Sequence, residues 1–268
     1  MTANIASTNP ATGVIVFTDL DGTLLDHSNY GYEPAQPTLD RLNRLAIPLI
    51  LASSKTAAEM IPLRTELGFE DCPMICENGS GVVPAGSSAD SDRSHYQKLR
   101  AELEAIPSAL RGLFEGFGDM TPARIGDVTG LIEDQAVLAA QRAFSEPGLW
   151  TGSQHECEQF LSLLGTRGIT ARRGGRFLTL SFGATKADQL DRISAQLDRT
   201  VIIALGDAPN DAEMLNAADY AIVLPNAHGH PVTVAKDTSS RVIHAEQPGP
   251  MGWHSALSAV LDELGIEE

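Results

Sequence analysis

Two carboxylates, Asp19 and Asp21, directly follow an apolar segment near the start of the chain and precede a Gly-Thr pair. The apolar or β-prone residues 14–18 predict a buried strand of a parallel sheet. Ligands of open α/β sheets bind at the carboxyl ends of such strands. Two acids one residue apart repel each other unless a cation neutralises them. The pair therefore predicts a divalent-metal site with a reactive carboxylate, although the same residues are also compatible with a polar turn.

Polar residues also follow two other predicted strands. Ser53 and Ser54 come directly after residues 47–52, and an acidic loop at 206–211 follows residues 201–205, while Lys186 lies at the start of a predicted helix. Taken singly, the serines could cap a helix, the lysine could be solvated and the acidic loop could be a capped turn. Their occurrence in order at successive element ends favours one shared site.

Each residue type in this set suits one part of a phosphoryl-transfer site. A carboxylate such as Asp19 can attack phosphorus and form an aspartyl-phosphate. Asp21 can protonate the leaving oxygen and then activate water. Ser53 can donate a hydrogen bond to a phosphoryl oxygen and Lys186 can supply a positive charge. Mg²⁺ prefers hard oxygen ligands, which Asp19 and Asp207 provide. The residues thus predict a Mg²⁺-dependent phosphoryl-transfer site.

The elements that must position these residues alternate between strand and helix. The sequence predicts strands at 14–18, 47–52, 73–76, 201–205 and 220–224, with helices at 38–46, 57–67, 184–197, 212–217 and 252–264. This alternation is typical of an α/β doubly wound parallel sheet. Between its two parts, residues 97–113, 133–144 and 154–165 predict helices, and 169–172 and 176–182 predict a hairpin. We therefore expect a sheet domain in two parts, 1–90 and 184–268, interrupted by an inserted α+β domain at 91–183.

The amino-acid composition limits the kinds of partner that the protein is expected to bind. The 268-residue chain has a formal net charge of −16, which argues against a nucleic-acid partner because phosphate backbones require clustered Lys and Arg. No apolar run is long enough to cross a bilayer, and the first 13 residues do not read as a secretory signal. The three cysteines lack zinc-ligand spacing and are expected to be reduced thiols. These features predict a cytoplasmic protein with a small-molecule partner and no membrane partner.

Residues 19–23, 52–56, Lys186 and 206–211 resemble, in order and separation, the four motifs of the haloacid dehalogenase (HAD) superfamily. The third motif keeps its lysine but has Ala187 where glycine is usual. The resemblance implies an HAD-like core with a C2-type cap, with Asp19 as nucleophile and Asp21 as general acid and base. It also implies Mg²⁺ held by Asp19, the carbonyl of Asp21 and Asp207, with Asp211 beside it.

A narrower resemblance concerns the mannosyl-3-phosphoglycerate phosphatases of that superfamily. It is carried by Thr18, residues 53–56, 77–79, 144–147 and 173–177. It implies hydrolysis of mannosyl-3-phosphoglycerate, or the glucosyl analogue, to the glycosylglycerate, a compatible solute. Another sugar-phosphate phosphatase, acting on sucrose or hexose phosphates, stays an alternative. A further alternative is a signalling module that keeps its phosphoryl group. The acid at Asp21 argues against this alternative, because it would promote hydrolysis of the phosphorylated Asp19.

The expected substrate carries both a phosphate and a carboxylate, so cations are needed near the site. Arg172, Arg173 and Arg176 cluster at the predicted hairpin in a chain otherwise poor in positive charge, and a guanidinium can bind a carboxylate through two hydrogen bonds. These arginines could equally be solvated. Glu146 could accept hydrogen bonds from sugar hydroxyls. The expected substrate-binding residues are Ser54, Lys55, Asn210, Arg173, Arg176 and Glu146.

Overall fold

The computed structural model describes residues 10–87, 92–227, 229–235 and 241–267. The chain divides into two compact units. The first consists of Met1–Ala52, Leu67–Pro73 and Lys186–Glu268, and the second of Ser53–Glu66 and Met74–Thr185. Within the described residues, no helix combines the length and the apolar character that crossing a bilayer requires.

Short strands alternate with helices along the chain. The strands are β1 (Val14–Thr18), β2 (Leu49–Leu51), β3 (Met74–Cys76), β4 (Gly81–Val83), β5 (Phe114–Gly116), β6 (Ser145–Trp150), β7 (Thr170–Gly174), β8 (Phe177–Ser181), β9 (Val201–Gly206), β10 (Tyr220–Val223) and β11 (Arg241–His244). The helices are α1 (Gln36–Arg44), α2 (Ala57–Glu66), α3 (Ser94–Glu104), α4 (Ser108–Arg111), α5 (Pro122–Thr129), α6 (Glu133–Ala139), α7 (Gln154–Gly165), α8 (Lys186–Gln196), α9 (Ala212–Asn216) and α10 (Gly249–Glu263).

The first unit contains a five-stranded sheet in the order β11-β10-β9-β1-β2, with every neighbouring pair parallel. All five residues of β1 are buried, as the continuous apolar run predicts for a strand covered on both faces. The α/β class with a parallel sheet is therefore confirmed. Strand β3, which we expected in this sheet, instead pairs antiparallel with β4.

Helix α10 packs inside the first unit. Trp253 on this helix is fully buried, and its indole N–H donates to Thr18 Oγ1 at the end of β1 at 3.0 Å. Arg41 of α1 donates to Asp262 of α10 at 2.6 Å. A large aromatic side chain with a satisfied polar atom suits such an interior. Residues far from β1 in the sequence thereby hold the end of the strand that directly precedes Asp19.

The second unit contains an antiparallel sheet in the order β5-β6-β8-β7 with helices around it. Its cores are formed by two sets of buried side chains, one including Leu99, Phe114 and Phe160 and the other Phe117 and Ile125. This arrangement of antiparallel strands and helices is the α+β type expected from the sequence.

Several predicted boundaries are wrong in the second unit. The helix expected at 97–113 is two helices separated before Ser108, because Pro107 cannot continue a helix. The helix expected at 133–144 ends at Ala139, and residue 145 begins β6. We did not anticipate β6 because Pro147 and Gly148 are unusual in an inner strand.

Strands β5 and β11 and helix α5 were also not anticipated. Strand β5 has only three residues, and β11 is a four-residue edge strand with no buried residue. Two of the three cysteines, Cys76 and Cys157, are buried, and none of the three is in a disulfide. Residues 88–91 of the predicted linker lie outside the described residues.

Candidate active site

Asp19 and Asp207 follow two neighbouring parallel strands at the same edge of the sheet. Strands β1 and β9 are paired with Thr18 opposite Leu205, and the Asp19 amide donates to the Leu205 carbonyl at 2.9 Å. Asp207 comes directly after β9. The register therefore brings the two carboxylates together although 187 residues separate them in the chain.

Two glycines allow this close approach. A Cβ atom on Gly22 would lie 2.7 Å from Asp207 Oδ2, and Gly22 also has a positive φ of 81°. A Cβ atom on Gly206 would lie 2.6 Å from the Asp211 Cβ. Side chains at either position would overlap the acids, so glycine is required at both.

Lys186 is the first residue of α8 and is only 2% exposed. Its Nζ atom donates to Asp19 Oδ1 and to Asp211 Oδ1, each at 2.7 Å. Both contacts are charge-assisted hydrogen bonds, which are stronger than neutral ones. The lysine is thus a buried bridge between two acids and not a solvated side chain.

Both oxygens of Asp207 and the second oxygen of Asp211 also accept hydrogen bonds. Asp211 Oδ2 accepts from the amides of Asp207 at 3.2 Å and Ala208 at 3.1 Å, which closes the turn after β9. Asp207 Oδ1 accepts from Thr23 Oγ1 at 3.0 Å, and its Oδ2 accepts from Asn226 Nδ2 at 2.7 Å. These contacts fix the side chains of Asp207 and Asp211.

Burial and mutual repulsion shift the pKa values of this cluster. Burial, and then the neighbouring Asp211 charge, raise the pKa of Asp19 well above its usual value, while Lys186 opposes the shift. Burial raises the pKa of Asp207 to about 6 against the lowering effect of Thr23. The pKa of Lys186 is raised by Asp19 and Asp211, which outweigh the opposing effect of its own burial. Asp19, Asp207 and Asp211 cluster near one buried cation, Lys186, so the cluster carries an excess of negative charge when all three acids are ionised.

The cluster fits a divalent cation. Asp19, Asp207 and Asp211 each offer an oxygen within 4.8 Å of the others. A cavity of about 130 Å³ is lined by Gly22, Asp207 and Asn226, among other residues of the first unit. Mg²⁺ takes few carboxylates and keeps several waters, so a cluster that offers one oxygen from each of three carboxylates suits it. Asp21, which we expected to contribute its carbonyl, is partly exposed in the turn after Asp19.

Residues 53–55, called the serine motif below, belong to the second unit. Ser53 is buried, Ser54 is exposed and Lys55 is partly exposed. They precede α2, whose N-terminus is capped by Thr56: its Oγ1 accepts from the Glu59 amide at 3.3 Å, and Glu59 accepts from the Thr56 amide at 2.8 Å. The capping residue is therefore Thr56, which leaves Ser53 available for another role.

The other expected substrate-binding residues have different environments. Asn210 is exposed in the turn after β9. Arg173 and Arg176 are exposed on the β7–β8 hairpin, and Arg173 Nη2 lies 3.4 Å from Cys157 Sγ. Glu146 is fully buried, and both its oxygens are bound by protein donors, namely Tyr96 Oη, Arg100 Nη1 and the Gly118 amide. A sugar hydroxyl would have to displace one of these donors.

Thr23 and Asn226 are site residues that our sequence reasoning missed. Thr23 stands within the first acidic motif, and Asn226 comes shortly after β10, which pairs with β9. The rule that polar residues at the carboxyl ends of parallel strands share a site would have identified Asn226.

A model of the haloacid dehalogenase-like hydrolase family matches residues 16–108 and 154–241 of this chain. The match covers more than half of the chain and includes Asp19, Lys186, Asp207 and Asp211. The chain therefore belongs to this family.

Solved structures share the fold. BT1666 from Bacteroides thetaiotaomicron, a phosphatase of the haloalkanoate (HAD) superfamily, is 16% identical with a TM-score of 0.66, covering 99% of this chain and 100% of its own. A hypothetical protein from Geobacillus kaustophilus HTA426 is 19% identical with a TM-score of 0.64, covering 94% and 99%. The HAD subclass IIB sugar phosphatase BT4131 is 14% identical with a TM-score of 0.61, also covering 94% and 99%. At these identities the likeness concerns the fold.

Proposed function

We propose that the chain is a phosphomonoesterase that works through an aspartyl-phosphate on Asp19. The observation that carries this proposal is the buried contact of Asp19 Oδ1 with Lys186 Nζ at 2.7 Å, in a cluster with Asp207 and Asp211. A carboxylate at a strand end, paired with a cation and close to a cation-binding cluster, is suited to nucleophilic attack on phosphorus. Membership of a hydrolase family supports this reaction class.

The reaction has two steps. In the first, an oxygen of Asp19 attacks phosphorus, the bond between phosphorus and the ester oxygen breaks, and Asp21 gives its proton to the leaving alcohol. In the second, Asp21 takes a proton from a water molecule, whose oxygen attacks phosphorus and releases inorganic phosphate and Asp19. Lys186 and the Ser53 hydroxyl would bind the phosphoryl oxygens.

We propose Mg²⁺ as the cation held by Asp19 and Asp207, with the Asp21 carbonyl as a third ligand and Asp211 beside it. A divalent ion bound there would offset the repulsion between the phosphate and the acids. Because Asp19 and Asp211 also accept from Lys186, the lysine holds both acids in place with or without the ion.

The acid at Asp21 separates this proposal from a signalling module. A module that stores a phosphoryl group needs a long-lived aspartyl-phosphate, whereas a general base two residues after the acceptor promotes its hydrolysis. The second unit, with its own sheet and cores, also gives the chain more structure than phosphate storage requires. Turnover, rather than retention of phosphate, is therefore the expected behaviour.

For the substrate we propose a phosphorylated glycoside, and specifically mannosyl- or glucosyl-3-phosphoglycerate. The sequence resemblance to mannosyl-3-phosphoglycerate phosphatases supports it, and so do the exposed Arg173 and Arg176 in a chain of net charge −16. Guanidinium groups suit the carboxylate of such a substrate. The description of BT4131 as a sugar phosphatase supports the broader class. We propose that residues 91–183 select the substrate.

The test is phosphate release from a panel of compounds, with and without Mg²⁺. The panel contains mannosyl- and glucosyl-3-phosphoglycerate, 3-phosphoglycerate, mannose 6-phosphate and sucrose 6-phosphate. Preference for a glycosyl-phosphoglycerate supports both the reaction and the substrate. Release from the other sugar phosphates alone keeps the reaction and rejects the substrate. A phosphorylated protein that accumulates without release would instead indicate a signalling module.

A further inference from the structure

Glu77 and Arg142 form a buried ion pair in the second unit. Glu77 is 1% exposed and Arg142 is 5% exposed, and Arg142 Nε lies 3.3 Å from Glu77 Oε2. Buried charges are retained only when they are paired and hydrogen-bonded. The contacts of these two side chains therefore indicate what they hold in place.

The Glu77 carboxylate binds the residues at the start of β6. Oε1 accepts from the Ala143 amide at 2.8 Å, and Oε2 accepts from the amides of Phe144 at 3.2 Å and Ser145 at 2.7 Å. Oε2 also accepts from the Ser145 hydroxyl at 2.7 Å. Three successive amides are thus held by one side chain, so the carboxylate fixes the local backbone path.

Glu77, its neighbour Asn78 and Arg142 also bind the backbone of the serine motif. The Glu77 amide donates to the Lys55 carbonyl at 3.0 Å, and the Asn78 amide donates to the Ser53 carbonyl at 2.9 Å. Arg142 Nη1 donates to the Ser54 carbonyl at 3.3 Å. All three successive carbonyls of Ser53, Ser54 and Lys55 are therefore bound by this pair or by the residue next to it.

The backbone at Glu77 is strained. Glu77 and Asn78 have φ angles of 53° and 57°, in the left-handed region that residues other than glycine rarely adopt. Such conformations persist only where the surroundings enforce them, and they concentrate at functional sites. Here the buried carboxylate of Glu77 supplies the enforcing contacts, and the strained turn presents two amides to the serine motif.

The held segment presents the Ser53 hydroxyl in a defined way. Ser53 Oγ accepts from the Lys55 amide at 3.3 Å, and the Ser53 amide donates to the Ile75 carbonyl at 3.0 Å. A hydroxyl that accepts one hydrogen bond still has its own hydrogen to donate. The main-chain anchors therefore set where that hydrogen can point.

We infer that Glu77 and Arg142 are positioning residues that hold Ser53, Ser54 and Lys55 in the geometry that binds the transferred phosphoryl group. This inference rests on the proposed function. In this role neither residue contacts the reacting atoms, and both act through the backbone of the serine motif. Their loss should therefore lower kcat by misplacing the Ser53 hydroxyl, since a displacement of about 1 Å can cost about 100-fold in rate.

The first variant is Glu77→Gln, which keeps the shape but replaces one acceptor oxygen with a donor facing the amides of residues 143–145. The control is Asp119→Asn in the same unit, where the carboxylate accepts from the Gly116 amide at 2.9 Å, from Arg111 at 2.7 Å and from Arg100 at 2.6 Å. None of these interactions involves the serine motif. We expect kcat with p-nitrophenyl phosphate to fall about 10-fold to 100-fold in Glu77→Gln and to change less than about 2-fold in Asp119→Asn, with KM nearly constant in both.

Amide hydrogen exchange at Glu77 and Asn78 gives a readout that does not depend on activity. These amides should exchange faster in Glu77→Gln than in wild type or Asp119→Asn, because their bonds to the Lys55 and Ser53 carbonyls loosen. If Glu77→Gln does not fold, Arg142→Lys replaces it as the test variant. This substitution keeps the positive charge but loses the planar guanidinium group. We expect a smaller fall in kcat and a smaller increase in amide exchange than in Glu77→Gln.

The outcomes separate the two proposals. A wild-type protein that releases no phosphate overturns the proposed function and the catalytic purpose of the pair, while faster exchange in Glu77→Gln would still support its hold on the segment. Active wild type with unchanged kcat in Glu77→Gln overturns the positioning role. An equal loss of kcat in Asp119→Asn and Glu77→Gln would also overturn the positioning role, because general destabilisation of the second unit would then explain both losses.

Discussion

The ammonium group of Lys186 lies 2.7 Å from Oδ1 of Asp19, although the two residues are 167 positions apart in the chain. The same ammonium binds Asp211 at 2.7 Å, so one buried cation joins the first and the last acidic segments of the site. Such a contact forms only after the strands have paired, because α8 and β1 have no local reason to meet. The pairing thus couples formation of the site to formation of the fold.

Replacing Asp19 with asparagine should abolish turnover without unfolding the protein. The substitution removes the nucleophile but little volume, and we expect kcat to fall about 10⁴-fold or more. The melting temperature should change by less than about 4 °C, because Lys186 keeps its second partner, Asp211 Oδ1, at 2.7 Å. Asp40→Asn, at an exposed position of α1, is the control and should keep full activity. Substantial turnover in Asp19→Asn would reject the aspartyl-phosphate mechanism.

Replacing Lys186 with methionine should destabilise the metal-free protein strongly. The variant leaves three clustered acids with no cation, and removing one partner from a buried charge pair costs about 3–5 kcal/mol. Added Mg²⁺ should recover part of this loss because the cluster then binds a cation more strongly. Chemical denaturation with and without the ion measures both effects. Lys98→Met, at an exposed lysine of α3, should cost little; an equal loss in both variants would contradict a special role for Lys186.

Mg²⁺ should raise the melting temperature of the wild-type protein, and chelation should lower it again. An ion at 100 times its dissociation constant stabilises the folded state by about 2.7 kcal/mol. Asp207→Asn should reduce this shift at a given Mg²⁺ concentration, since it removes one of the three charged oxygens of the cluster. Thermal unfolding across a Mg²⁺ titration provides the measurement. Retention of the full shift in Asp207→Asn, as in Asp40→Asn, would place the ion elsewhere.

Asp119 should contribute stability that disappears in acid. Burial alone would raise its pKa, but hydrogen bonds from Arg100 and Arg111 outweigh that effect and the pKa is lowered. A carboxylate with a lowered folded-state pKa stabilises above its unfolded value of about 3.9, and this contribution is lost as the pH falls through the folded-state pKa. The difference in melting temperature between wild type and Asp119→Asn should therefore be largest near pH 7 and shrink below about pH 4. A difference that stays constant across this range would show that the charge of Asp119 does not matter.

Replacing Arg176 with alanine should raise KM for a glycosyl-3-phosphoglycerate much more than KM for p-nitrophenyl phosphate. The two substrates share a phosphate but only the first has a carboxylate, for which a guanidinium fork is suited. We expect a rise of about 10-fold for the first, equivalent to about 1.4 kcal/mol, and little change for the second. Arg167→Ala removes an arginine of the same unit that pairs with Glu102 and should affect neither. Equal effects of Arg176→Ala on both substrates would remove the carboxylate-binding role.

Much of the first unit could be predicted from local patterns. The buried apolar runs at 14–18 and 201–205 became β1 and β9, since a continuous apolar segment suits a strand covered on both faces. The acids at the ends of these strands followed from the rule for parallel sheets. Both are properties of neighbouring residues, and the sequence displays them directly.

Some strands could not be predicted from local sequence preferences, because contacts with distant parts of the chain stabilise them. Strand β6 contains Pro147 and Gly148 yet is an inner strand, paired with β5 and β8. Its packing partners outweigh the weak strand preference of these residues. Strand β3 shows a related limit, because its apolar residues predict a strand but do not show that it pairs with β4 outside the five-stranded parallel sheet.

The sequence by itself determined which acids and which lysine form the cluster, and it predicts a serine for the same site, in an order that resembles the HAD superfamily. Only the tertiary structure decided their geometry. The bridge from Lys186 to both acids, the support of Asp207 by Thr23 and Asn226, and the engagement of Glu77 with the serine motif all join distant parts of the chain. The physical reason is that hydrogen bonds act over about 3 Å, so these contacts exist only once strand pairing and burial have brought the residues together.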